Sequence, residues 1–95
     1  MIVKISKSNL ENKKMVAVFY EGDKKLKTVH FGQAGASDYT LNKNLERKKR
    51  YIERHKQNEN WNDYMSAGSL SKWILWNKPT LQESIKDFKK KFNLN

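Results

Sequence analysis

Three β-forming runs crowd into the first 31 residues of this chain, and none follows them. Ile2 to Ile5 is a short apolar run, Met15 to Tyr20 is rich in β-branched and aromatic residues, and Leu26 to Phe31 alternates. In that alternation Lys27, Val29 and Phe31 share one face, and Leu26, Thr28 and His30 the other. Glu21-Gly22-Asp23-Lys24-Lys25 between the last two runs has hairpin chemistry, with Gly22 free to take a positive φ. The pattern predicts a small three-stranded antiparallel meander over residues 1–31 with one covered face. Strands gathered ahead of helices predict the α+β class, with the rest of the chain supplying the cover.

The cover is three α-helices by the same reading. Gly32 to Thr40 is dominated by small residues and breaks the strand pattern, so it is read as a loop. A basic helix is predicted over 42–58. A second, over 69–76, is apolar nearly all round (Leu70, Trp73, Ile74, Leu75, Trp76) and therefore buried. Pro79 ends it, and Thr80-Leu81-Gln82-Glu83 is a capping box that opens a third helix over 80–93. There Leu81, Ile85, Phe88 and Phe92 form a core stripe. Ninety-five residues make one basic α+β domain, and three Trp, four Tyr and four Phe supply large side chains for its core.

Charge narrows the partner. Twenty Lys and Arg face ten Asp and Glu, a formal net charge of +10. Such an excess attracts polyanions in a salt-dependent way. On the basic helix Leu41, Leu45, Ile52 and His55 fall on one face with Tyr51 at its edge, while Lys43, Arg47, Arg50 and Arg54 cluster on the opposite one. Those four cations form a row about 16 Å long, suited to one phosphate backbone. The competing reading is a solvated face, with Glu46 and Glu53 pairing to Arg50, Lys49 and Lys56. Trp61, between Asn60 and Asn62, is a candidate base-stacking surface. The glycine-containing loop has donors in Ser37 and Thr40 but no phosphate-loop fingerprint, so Asp38 or Thr40 is expected to satisfy backbone amides at the next helix start.

Chemistry beyond binding has few carriers. There is no Cys and only two His, so thiolate sites are excluded, no metal or cofactor is expected, and no catalytic residue is assigned. His55 with Glu59 one turn on is the one pair a small nuclease would use as base and orienter. No apolar stretch of membrane length occurs and MIVKISKSN lacks a signal-peptide core, so no membrane partner is expected.

The ordered series FGxxGxxDYT (Phe31 to Thr40), RKxRYIxRH (Arg47 to His55), ExW (Glu59 to Trp61) and LWNKP (Leu75 to Pro79) resembles a family of short proteins of large nucleocytoplasmic DNA viruses of the mimivirus and phycodnavirus kind. The resemblance transfers no activity. It implies a viral setting, in the virion and the infected-cell cytoplasm or viral factory. It also draws attention to Gly32, Asp38, Tyr39, Thr40, Arg47, Lys48, Tyr51, Arg54, His55, Glu59 and Trp61. Lys48, Tyr51 and His55 forming an inner polar network with Asp38 or Glu59 is the structural alternative. The function expected is therefore a viral nucleic-acid-binding or packaging protein contacting phosphates, DNA ahead of RNA, through Lys43, Arg47, Arg50 and Arg54 without reading sequence. A minor capsid or cement protein binding other virion proteins is the rival, and a small nuclease the third reading.

Overall fold

A computed structural model describes residues 1–95. Strands β1 (Ile2–Lys7), β2 (Lys13–Glu21) and β3 (Lys24–Gln33) form one antiparallel sheet in the order β1-β2-β3. The α+β meander is thus as the alternation predicts. Gly22, first of the two residues between the paired Glu21 and Lys24, has φ 60, as a type II′ hairpin requires. Register places Val3 against Phe19, Ala17 against Val29 and Met15 against Phe31, and all six are buried on one face. The chain end runs along the outer edge of β1. Val3 N donates to Asn95 O and Asn95 N to Met1 O, both at 3.0 Å, which satisfies edge groups that would otherwise face water.

The helical part has four segments where three were expected. Helix α1 (Tyr39–Asn42) is a single turn, and α2 (Leu45–His55) follows it. The predicted helix over 42–58 is broken because Lys43 adopts φ 51 and Asn44 starts afresh as an N-cap, its side chain accepting from Arg47 N. Asn42 reinforces the break by accepting from Asn44 N at 2.7 Å. Two asparagines two apart thus offer the backbone local bonds that compete with a continuous helix. The chain then leaves α2 in turns rather than extending to 58.

The buried helix begins at Ala67, two residues before the predicted start, as α3 (Ala67–Leu70), and then widens into a π-helical turn over Ser71–Leu75. Ser69, Leu70, Ile74 and Leu75 are buried, whereas Trp73 and Trp76 remain half-buried. Helix α4 (Leu81–Lys91) is shorter than the predicted 80–93. Thr80 caps it by accepting from Glu83 N, while its hydroxyl donates to Glu83 Oε1 at 2.9 Å. Its stripe packs as predicted, with Phe88 fully buried and Leu81, Ile85 and Phe92 against the core.

One polar pair ties the loop after β3 to the sheet. Asp38, 2% exposed, receives Lys14 Nζ from β2 at 2.6 Å, and it caps α1 by accepting from Thr40 N at 2.9 Å and from the Thr40 hydroxyl. Asp38 and Thr40 therefore do the capping expected of them. At Gly32 the backbone has φ +80, and a Cβ there would lie 2.7 Å from Leu75 Cδ1, so glycine is needed for both conformation and space. Asp38→Ala removes a cap and strands a largely buried ammonium. It should cost about 3 kcal/mol of unfolding free energy in urea titrations. Thr40→Val, which keeps the ion pair, should cost about 1 kcal/mol.

Candidate phosphate-binding groove

Helix α2 contributes no fully buried residue, and only part of the face expected to pack inward does so: Tyr51, Ile52 and His55 are half-buried. Leu41 and Leu45 are 67% and 52% exposed. The helix docks through the side that carries Lys48, Tyr51 and His55. The Tyr51 ring stacks on Trp76 at 4.5 Å with the planes 6° apart, and His55 stacks on the other side of Tyr51 at 4.3 Å. Lys48 Nζ donates to Asn77 O at 2.7 Å and lies over the Tyr39 ring, while Asn77 Nδ2 donates to Asp87 Oδ2 on α4. Aromatic stacking and one half-buried lysine thus make the contact while the two leucines stay exposed.

This docking leaves the three arginines of α2 solvent-exposed at the rim of a groove. Arg47, Arg50 and Arg54 line one wall of this groove of about 650 Å³, a volume in the range of ligand sites. Lys13 and Lys14 of β2 stand on the other side, and Phe31, Gly32, Leu75 and Trp76 lie among the remaining lining residues. Three guanidinium groups in the groove have no ion-pair or hydrogen-bond partner in the protein. Glu53, which could have paired with Arg50, holds Lys56 at 3.1 Å, and Glu46 pairs with none. The lining carries five Lys and Arg against two carboxylates, and one of those, Asp38, is already matched by Lys14.

The second carboxylate is Glu59. Its Oε1 lies 3.5 Å from His55 Nδ1, the distance that joins the predicted pair. Gly68 makes the placement possible, because any Cβ there would collide with the Glu59 carboxylate. Burial, then the Glu59 charge, pushes the Tyr51 hydroxyl up to about 12, with Arg54 acting against the shift, so Tyr51 stays neutral at physiological pH. Burial and the neighbouring Lys78 charge lower the Lys48 ammonium below its usual range. Lys72, within the π-turn, is lowered mainly by burial and then by Lys48 and Lys91, with Asp87 acting against the shift.

Of the residues singled out in the sequence, Gly32, Asp38, Arg47, Arg50, Tyr51, Arg54, His55 and Glu59 meet in the groove. Tyr39, Thr40 and Lys48 stand behind it as supports. Lys43 does not join the arginines. It sits at the left-handed junction between α1 and α2, with its ammonium on Thr40 O at 2.9 Å. Trp61 is likewise outside, half-buried with Lys72 over its ring at 4.8 Å and its carbonyl accepting from Trp73 Nε1 and Ser69 Oγ. The expected inner network is real in part: His55 meets Glu59, while Asp38 pairs with Lys14 and Lys48 with Asn77. Sequence reasoning missed Lys13, Lys14, Gly68 and Ser71, which line the groove from other elements. The adjacent lysines that open β2 were the available signal.

A family profile matches residues 3–55, from β1 to the end of α2. The chain belongs to DUF5754, a family of unknown function. The DUF5754 match takes in the Lys13–Lys14 wall and the arginine wall and ends at His55, before Glu59, Gly68 and Trp76. No curated protein and no solved structure matches the chain.

Burial of the Tyr51 hydroxyl makes the fold lose stability at high pH. An unfolded tyrosine ionises near pH 10, so the folded state is at full advantage below that pH and loses it as pH rises toward about 12. Urea midpoints measured from pH 9 to 11.5 should fall more steeply for the wild type than for Tyr51→Phe.

Proposed function

We propose that the groove between α2 and the open end of the β2–β3 hairpin binds the phosphate backbone of nucleic acid. The observation that carries this reading is the set of unpartnered guanidiniums, Arg47, Arg50 and Arg54, lining one concave surface. Like charges held together without partners destabilise a fold, so their convergence is best explained by an anion that joins them. Arginine suits the task, since its planar fork can give two hydrogen bonds to one phosphate. From Arg47 to Arg54 the helix rises about 10 Å, enough to address successive phosphates of one strand. Contacts of this kind position a protein on nucleic acid with little regard to sequence. A DNA-packaging or DNA-coating role in a large DNA virus is the setting this proposal carries, DNA being favoured over RNA.

A second reading has its own observation. Leu41 and Leu45 expose an apolar pair beside Lys43 on the outside of α1 and α2, which suits docking on another virion protein.

Fluorescence anisotropy with labelled DNA at several salt concentrations separates the two. Replacing Arg47, Arg50 and Arg54 with Gln should weaken binding at least tenfold at low salt and lower the slope of log K against log salt by about 2 to 3. Lys43→Gln should change the affinity less than threefold, about what loss of one exposed charge gives. An unchanged affinity and slope in the triple variant would remove the groove from the interface. Turnover of the DNA that His55→Ala abolishes would instead mark a nuclease.

A further inference from the structure

The groove contains a group that a pure phosphate site would not hold. Glu59 presents a carboxylate to the same space as the three arginines, and the one pair it forms is with His55 Nδ1, at 3.5 Å. A carboxylate repels a phosphate and has only acceptors to offer, so it needs an N–H or O–H donor from whatever binds. DNA carries such donors on its base edges and none along its phosphodiester backbone, while RNA adds the ribose 2′-OH. A column of three rings, Trp76, Tyr51 and His55, at spacings of 4.5 and 4.3 Å, lines the same groove. Positive wall, ring column and acceptor therefore share one concavity.

Resting on the phosphate-site reading above, we propose that the ligand is an unpaired strand. Its phosphates lie on Arg47, Arg50 and Arg54, and one base is turned inward against the His55 end of the ring column, Tyr51 being covered on both sides, with its edge toward Glu59. Three features of the geometry point this way. First, about 650 Å³ accommodates roughly one or two nucleotides and not a double helix. Second, the exposed arginines of α2 share the groove with Lys13 and Lys14 of β2, so a backbone that meets both sets of cations has to lie along the groove. Third, paired bases hide their faces in the stack and their Watson–Crick edges in the pair, whereas an unpaired base exposes both to the rings and to Glu59. A charged groove lined with aromatic rings is the general solution for holding single strands.

The acceptor also sets a preference. Guanine carries two adjacent N–H groups on its Watson–Crick edge and can meet both oxygens of a carboxylate. Thymine carries one, flanked by carbonyl oxygens that the carboxylate repels. The groove therefore favours guanine at the inward position. Gly68 belongs to this device, since any side chain there displaces the Glu59 carboxylate.

Anisotropy titrations at one low salt concentration test this with three labelled oligonucleotides of equal length: all-thymine single strand, the same strand with one central guanine, and a duplex of the latter. The wild type should bind the single strands about tenfold more tightly than the duplex. It should also bind the guanine strand about threefold or more tighter than all-thymine, a small part of what one good bidentate base contact supplies. Glu59→Gln should erase the guanine preference and keep single-strand binding. Gly68→Ala, checked for folding by circular dichroism, should do the same. Duplex binding as tight as single-strand binding, and equally dependent on the three arginines, would overturn the unpaired-strand proposal while leaving the phosphate site standing. A guanine preference that survives in Glu59→Gln would overturn the inward base. Absence of binding to all three would take down the phosphate-site reading itself.

Discussion

The stack of Tyr51 on Trp76 decides what this protein presents to a partner. Helix α2 buries none of its residues fully and would have little reason to sit where it does without an anchor. A parallel ring pair at 4.5 Å, extended by His55 and reinforced by the Lys48 bond to Asn77 O, fixes its rotation about its own axis. A ring pair of this kind contributes about 0.5–1.5 kcal/mol beyond the area it covers. That modest energy has a large geometric result. With Tyr51 and Lys48 turned inward, the neighbouring Arg47, Arg50 and Arg54 face a groove, and Leu41 and Leu45 are left in water.

The groove works against the stability of the fold. Five cations and two carboxylates share its lining, and only Lys14 among the cations is neutralised by a close carboxylate. Exposed Leu41 on α1 and Leu45 on α2 add a further cost. Local rules of this sort are broken where function requires it, and the rest of the chain is built to compensate. The compensation here is a conventional core: Phe19 and Phe31 from the sheet, Leu70 and Ile74 from the α3 region, and Phe88 from α4 are all fully buried.

Where structure follows from neighbouring residues, the sequence was readable. The alternation of β3, the Gly22 turn, the Thr80 cap and the stripe of α4 each rest on chemistry contained within a few residues, and each stands as expected. Helix α2 was harder for two physical reasons. Helical arithmetic carried through Lys43 joins Leu41 and Leu45 into one face, but the left-handed turn at Lys43 resets the phase. The partners of Tyr51 and Lys48 are Trp76 and Asn77, far along the chain, and no local pattern announces a contact of that range. The same distance hid Lys13 and Lys14, which belong to the site only because β2 lies beside the loop that carries Asp38. Trp61 had the composition of a stacking surface, yet the carbonyl bonds from Ser69 and Trp73 and the cover of Lys72 make it part of the scaffold.

The account stands on the three arginines meeting a phosphate together, and arginine side-chain resonances report that directly. In ¹⁵N spectra of the wild-type protein titrated with a short oligonucleotide, the Nε–H signals of Arg47, Arg50 and Arg54 should shift in concert and saturate at one ligand concentration. The backbone amides of α4, with its lysines Lys86, Lys89, Lys90 and Lys91, should stay in place. Concerted shifts centred on α4, with the three arginine signals unmoved, would contradict the account.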